Sequence, residues 1–176
     1  GHGASSALLK AATDTNELVR AMAVRGLEPL AQSANMTALA ALNSRLADPV
    51  RAVRTEAAWA LRHSLDTNSL AGRDLLAFLH FNADQPAGAM QLGVFHLERG
   101  DLPTALDYFR RAVSWDTNSA PLHHALALAL SVQGKTTEAL ASLQTACRLA
   151  PRDAEYRYKL ALAFNEVGRL DDAHRA

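Results

Sequence analysis

One fixed spacing recurs in both halves of this sequence, and it constrains the fold more than any other feature. In the C-terminal half, three glycines and three alanines share it: Gly100, Gly134 and Gly168, then Ala105, Ala139 and Ala173, with each position number 34 above the last. We call this spacing the repeat register. A repeat array stacks similar units side by side and has no single central core. The sequence therefore predicts a repetitive protein rather than a domain built around one core.

Each glycine of this register follows a stretch of apolar residues with helical spacing. Leu126 and Leu130, for example, precede Gly134 by two helical turns and one. A glycine just past the last periodic residue is typical of a helix end. Because a second apolar stretch follows each glycine, each unit is predicted to be a pair of antiparallel helices.

The C-terminal pattern resembles the tetratricopeptide (TPR) repeat over residues 86–176. Gly93, Ala127 and Ala161 also follow the repeat register, and such small residues let paired helices approach closely. The resemblance covers two full repeats and a third that ends within its second helix. It implies helical hairpins whose first helices line an exposed face.

The N-terminal half repeats at the same spacing and resembles the HEAT repeat over residues 1–65. The aligned pairs are Asp14 with Asp48, Val19 with Val53, and Arg20 with Arg54. The resemblance implies that these aspartates and arginines form a ladder of ion pairs between neighbouring repeats. A ladder of this kind is structural and needs no ligand.

Residues 66–85 join the two arrays, and their apolar residues follow a helical spacing. We interpret this segment as one bridging helix with a turn that covers the open ends of both arrays. Together the segments predict an all-α fold, a right-handed α–α solenoid of HEAT-like hairpins followed by TPR hairpins. We expect at least nine helices and no strand.

The order of these segments resembles the C-terminal region of bacterial multihaem c-type cytochromes. The likeness lies in the stretches from Asp48 to Leu61 and from Asn82 to Gly100. In that family CxxCH motifs precede the repeats, and this sequence has none. The resemblance implies a periplasmic parent protein, of which this sequence, starting on glycine rather than methionine, is a fragment. The open alternative is an independent cytosolic TPR adaptor.

The charge balance argues against two classes of partner. Basic and acidic side chains number 18 each, with 8 of each in residues 1–85 and 10 of each in residues 86–176. Neither half carries the excess positive charge that attracts nucleic acid or anionic lipid. No apolar run has the length that a bilayer span needs. We therefore expect neither a nucleic-acid partner nor a membrane span.

The sequence contains no motif of a catalytic or metal-binding site. It lacks GxSxG, HExxH and a phosphate-binding glycine loop. The single cysteine, Cys147, excludes a multi-cysteine metal site. His123 and His124 are adjacent, so they point to different faces of one helix. We expect no enzymatic activity, no catalytic residues, no metal and no cofactor.

The exposed face of the three TPR first helices is the best candidate for a binding site. Helical spacing places nine residues on it: Met90, Val94 and Leu97, then His124, Leu128 and Ser131, then Tyr158, Leu162 and Asn165. An apolar strip on a protein surface marks a site for a partner. The sequence thus predicts a non-catalytic scaffold that binds a protein, an apolar or mixed peptide, or a neighbouring domain of the same chain.

Overall fold

The computed structural model describes residues 2–175, and the side chains of residues 3–173. Eleven helices occur in this range: α1 (His2–Ala11), α2 (Glu17–Gln32), α3 (Met36–Arg45), α4 (Arg51–Ala60), α5 (Leu70–Phe81), α6 (Pro86–Glu98), α7 (Leu102–Trp115), α8 (Ala120–Val132), α9 (Thr136–Leu149), α10 (Ala154–Glu166) and α11 (Leu170–Arg175). No strand is present among these residues. The predicted all-α class, with helical hairpins stacked as in an α–α solenoid, is confirmed.

The chain divides into two compact units, Gly1–His80 and Phe81–Ala176. The first unit contains the hairpins α1–α2 and α3–α4, followed by nearly all of α5. Helix α2 packs against α1, α3 and α4. The core of the first unit is made of fully buried apolar side chains, among them Val24, Leu27, Leu42 and Val53.

Side-chain caps fix the start of several helices. The Asn16 side chain accepts a hydrogen bond of 2.9 Å from Leu18 N at the start of α2, and Asn35 accepts one of 3.1 Å from Thr37 N at the start of α3. Asp153 caps α10 in the same way. Each cap satisfies a backbone N–H of the first turn that has no partner within its helix.

The second unit contains the hairpins α6–α7, α8–α9 and α10–α11. Between the two helices of each hairpin lies a glycine of the repeat register, Gly100, Gly134 or Gly168, with φ of +82°, +79° and +74°. These left-handed angles are strained for residues with a Cβ atom. The prediction that these glycines end helices is therefore confirmed.

The close approach of α6 and α7 depends on the absence of a side chain at Gly93. A Cβ atom at this position would lie 2.5 Å from Cε1 of Phe109, which is closer than packed carbon atoms come. Phe109 is fully buried and belongs to the same core cluster as Leu106, Leu130 and Ala139. The small residue at this register position thus allows the hairpin to close on its core.

Candidate functional site

In the first unit, two arginines bind aspartates that lie further along the chain. Arg20 donates from Nε to Asp48 Oδ2 and from Nη2 to Asp48 Oδ1, both over 3.1 Å. Arg54 donates from Nε to Asp74 Oδ2 over 2.8 Å. Each arginine also donates from Nη1 to two backbone carbonyls in the turn before its own helix. The guanidinium groups therefore join each hairpin to the helices that follow.

Asp48 is the most buried carboxylate of this ladder, with 3% of its surface exposed. Burial acts to raise the pKa of the Asp48 carboxyl, but the hydrogen bonds from Arg20 and Val50 N outweigh it, and Arg45 adds a second positive charge. The net effect holds this pKa below its ordinary value. Because the carboxylate oxygens accept hydrogen bonds within the fold, the ladder has a structural role.

The ladder departs from the expected repeat register at both ends. The Asp14 carboxylate accepts a hydrogen bond of 2.8 Å from Asn16 N, and no side-chain cation of the described residues lies within ion-pair distance of it. At the other end, the partner of Arg54 is Asp74 of α5. The register would place the next aspartate at position 82, where the sequence has Asn82. The repeat register therefore does not predict the role of Asp74.

In the second unit, the nine predicted face residues divide into half-buried and exposed groups. Met90, Val94 and Leu97 of α6 are half-buried and pack against the core cluster that contains Phe109. The exposed members are Leu128 and Ser131 on α8, and Tyr158, Leu162 and Asn165 on α10. The open part of the predicted face therefore lies on α8 and α10.

Val132 extends the exposed apolar surface of α8 by one turn. It lies one turn after Leu128 and is 67% exposed, and residues one turn apart share one face of a helix. Val132 is not among the nine predicted face residues, although the same helical spacing places it on that face. We call Leu128, Val132, Tyr158 and Leu162 the α8–α10 face.

His124, the remaining predicted face residue, is half-buried beside α10. Its ring lies against that of Tyr156, with centroids 4.8 Å apart, and its Nε2 atom is buried with no hydrogen-bond partner among the described residues. Burial lowers the pKa of His124 below its ordinary value. Lys159 lowers it further, while Glu155 and Asp153 act in the opposite direction. The neutral imidazole therefore packs between two helices.

The side chains described for residues 3–173 include no cluster of three or more His, Cys, Asp or Glu that is placed to hold a metal ion. Burial raises the pKa of the Cys147 thiol, which keeps it protonated and weakly nucleophilic at neutral pH.

Within the part of the chain that the structure describes, no helix combines the length and the apolar character needed to cross a bilayer.

Comparison with known protein families finds two matches along the chain. Residues 5–86 match HEAT repeats, and residues 132–168 match the TPR repeat. The first stretch is therefore similar to HEAT repeats and the second to the TPR repeat. We accordingly call Gly1–His80 the HEAT unit and Phe81–Ala176 the TPR unit; the TPR match begins at the last residue of α8 and ends at Gly168.

Several solved structures share this fold at low sequence identity. A thermophilic TPR protein of Thermus thermophilus is 22% identical with a TM-score of 0.60, over 85% of this chain and 84% of that chain. MamA is 19% identical with a TM-score of 0.57, over 82% of this chain and 86% of that chain. The APC/C complex Cut9–Hcn1 is 18% identical with a TM-score of 0.54, over 80% of this chain and 27% of that chain. No curated protein matches the sequence. These identities show the fold alone.

Proposed function

We propose that the chain is a non-catalytic protein–protein interaction scaffold and that the TPR unit binds its partner on the α8–α10 face. The observation that carries this proposal is the repeated exposure of leucine. Leu128 and Leu162 are 36% and 40% exposed and occupy the same position of the repeat register in successive hairpins. Exposed apolar side chains in a contiguous strip are typical of a surface that a partner covers.

The chemistry of the face favours a peptide with apolar side chains. Tyr158 is 61% exposed and adds an aromatic ring whose hydroxyl can bond to a peptide backbone. Ser131 and Asn165, exposed at the same position of α8 and α10, place polar groups along the strip. A protein segment of apolar or mixed sequence fits this surface, whether it comes from a separate protein or from a neighbouring domain of the same parent chain.

The proposal can be tested with peptides selected against the full chain. A random peptide library displayed on phage is selected on the immobilised protein, and the selected peptides are measured by fluorescence anisotropy. We expect Leu128→Glu and Leu162→Glu to weaken binding at least about tenfold, because each replaces a buried contact of the complex with a desolvated charge.

Leu170→Glu is the matched control. Leu170 is 57% exposed but lies at the start of α11, outside the α8–α10 face. This variant should bind the selected peptides as the original chain does. Peptides that bind the Leu128→Glu and original chains equally, or a selection that yields no binder, would overturn the proposal.

The narrower proposal concerns the parent protein. The order of HEAT repeats, the Asn82 to Gly100 stretch and TPR repeats supports the accessory region of a periplasmic multihaem c-type cytochrome, where it would brace the haem part or hold a partner. The competing proposal is an independent cytosolic TPR adaptor. The upstream gene sequence distinguishes the two proposals. Several encoded CxxCH motifs and a signal peptide would support the cytochrome, and a methionine shortly before Gly1 would support the adaptor.

A further inference from the structure

A cavity of about 280 Å³ lies in the HEAT unit, where α3 and α4 end and α5 begins. We call it the α3–α5 cavity. Its lining residues all fall between Asn43 and Ala71, so the cavity belongs to one unit and is separate from the α8–α10 face. Ligand sites in proteins have volumes of about 300–1,000 Å³. The α3–α5 cavity is therefore of a size for a small molecule.

The floor of the cavity is apolar. Leu61, Leu65 and Ala71 line it and are 4%, 4% and 1% exposed. Leu46, the residue that follows α3, also lines the cavity and is half-buried. Contact with such side chains removes the hydrocarbon part of a ligand from water, which favours binding. The floor therefore suits a ligand with an apolar body.

The polar groups of the cavity leave a carboxylate oxygen open to a ligand. Asn43 donates from Nδ2 to Leu39 O over 2.8 Å. Ser69 donates from Oγ to Asp66 O over 2.6 Å. Both donors are thus used within the fold. Asp66 Oδ1 accepts a hydrogen bond of 2.9 Å from Asn68 N, whereas Asp66 Oδ2 accepts none from the described residues.

The charges around the cavity favour a cation. Of the described residues that line it, Asp66 is the one that carries a charge. The C-terminal ends of α3 and α4 add partial negative charge, which the N-terminal end of α5 offsets only in part. A cationic ligand can pair with the Asp66 carboxylate, while an anionic ligand meets no basic side chain in the lining.

The turn before α5 holds Asp66 in place. A Cβ atom at Gly72 would lie 2.3 Å from Asp66 O, so the glycine lets the first turn of α5 pack directly on this backbone. The hydrogen bonds from Asn68 N and Ser69 Oγ fix the same residue from the other side of the turn. A carboxylate that is already ordered binds a ligand at a lower entropic cost.

We propose that the α3–α5 cavity binds a small organic ammonium ion that is free in solution. A primary alkylammonium of about six carbons suits its volume. The ammonium group donates to Asp66 Oδ2, and the hydrocarbon chain lies against Leu61 and Leu65. The ligand is not a lysine side chain of a partner protein, because an interface needs an apolar core and Leu70 is the one exposed large apolar side chain in the lining.

Amide NMR titrations of the isotope-labelled full chain test the proposal. Three probes share one carbon chain and differ in charge: hexylammonium, hexanol and hexanoate. We expect hexylammonium to shift the amide signals of residues 61–72 in a saturable manner and to bind at least about threefold more tightly than hexanol, as befits an ion pair at an exposed carboxylate. Hexanoate should not bind.

Asp66→Asn removes the charge and retains the turn, since the asparagine oxygen also accepts from Asn68 N. This variant should bind hexylammonium at least about threefold more weakly and hexanol as before. Asp116→Asn is the matched control. Asp116 begins the same four-residue sequence and accepts a hydrogen bond of 3.0 Å from Asn118 N, but it lies outside the cavity. It should bind hexylammonium as the original chain does.

Ser64→Phe tests the place of binding. Ser64 lines the cavity and is exposed, so a phenylalanine ring at this position can fill the volume without entering the core. This variant should abolish the shifts caused by hexylammonium and by hexanol.

Four results would overturn the proposal. The first is the absence of a saturable shift with hexylammonium, or an equal affinity for hexanoate. The second is an equal effect of Asp66→Asn and Asp116→Asn on hexylammonium binding. The third is unchanged hexylammonium binding in the Ser64→Phe chain. The fourth is tighter binding of Nα-acetyl-lysine methylamide than of hexylammonium, since this would identify a lysine of a partner protein as the occupant.

Discussion

Arg20 and Asp48 form a two-nitrogen ion pair that joins the two HEAT hairpins, with Nε–Oδ2 and Nη2–Oδ1 distances of 3.1 Å. Asn at position 48 preserves the shape of the side chain but removes its charge, which leaves the guanidinium uncompensated in a buried site. We expect Asp48→Asn to lower the free energy of unfolding of the HEAT unit by about 3 kcal/mol or more. Urea unfolding followed by the fluorescence of Trp59, in a Trp115→Phe background, measures this loss.

Arg25→Gln is the control for this prediction. Arg25 of α2 pairs with Glu56 of α4, so this pair also joins the two hairpins, but the Arg25 side chain is 62% exposed. Exposed ion pairs contribute about 0–1 kcal/mol, so this variant should unfold at nearly the urea concentration of the original chain. Equal losses for Asp48→Asn and Arg25→Gln would contradict the structural role of the buried pair.

The turn after α2 repeats the helix end found after α8, but with alanine in place of glycine. Ala34 has φ of +59°, Ala34 N donates to Ala31 O, and the next amide donates to Leu30 O over 3.0 Å. At the end of α8, Gly134 has φ of +79°, Gly134 N donates to Ser131 O, and Lys135 N donates to Leu130 O over 2.9 Å. Since a Cβ atom is strained by about 1–2 kcal/mol in this conformation, Ala34→Gly should stabilise the chain by about 1 kcal/mol.

Gly134→Ala is the reverse substitution and should destabilise the chain by a similar amount. Both variants are compared by urea unfolding under the same conditions. The strain argument fails if the two substitutions shift the unfolding midpoint in the same direction.

The repeat register predicted those features that each hairpin builds from its own residues. Gly100, Gly134 and Gly168 end helices because their positive φ angles favour glycine. A preference set by the local backbone can be recognised from the residue type alone. The pair of Arg20 with Asp48 was also predictable, since both residues recur at the repeat spacing and the resemblance to HEAT repeats implies a ladder between neighbours.

Contacts that break the register were not predictable in this way. Asp74 pairs with Arg54 because α5 brings it there, at a spacing that no repeat fixes. Helical spacing predicts that His124 lies on an open face, yet Tyr156 of α10 packs against its ring. Helical spacing determines which face of α8 a residue occupies, but how far the next hairpin covers that face depends on tertiary packing.

The TPR unit should lose stability in mild acid because of His124. Burial lowers the pKa of this imidazole in the folded chain, so the unfolded chain takes up a proton at a higher pH, near 6.5, than the folded chain does. The contribution of the neutral His124 imidazole to the free energy of unfolding is fully present above that pH and is lost as the pH falls below it. Lys159 reinforces this effect, while Glu155 and Asp153 weaken it.

His124→Phe isolates this contribution, because phenylalanine retains a ring against Tyr156 and does not titrate. Urea midpoints are measured from pH 8 to pH 5 by the fluorescence of Trp115 in a Trp59→Phe background. We expect the chain with His124 to lose more stability than the His124→Phe chain between pH 6.5 and pH 5. Parallel pH profiles for the two chains would show that the histidine has the same pKa folded and unfolded.

The α8–α10 face and the helix-packing seam can be distinguished by their response to substitution. Ala139 is fully buried in the core cluster with Leu106 and Phe109, so Ala139→Leu should overpack the seam and cost about 1–3 kcal/mol. Leu128→Glu changes an exposed position and should cost less than about 1 kcal/mol. Thermal unfolding of both variants is compared with that of the original chain. If Leu128→Glu destabilised the chain as much as Ala139→Leu, another part of the protein would have to bury Leu128, and the face would not be open to a partner.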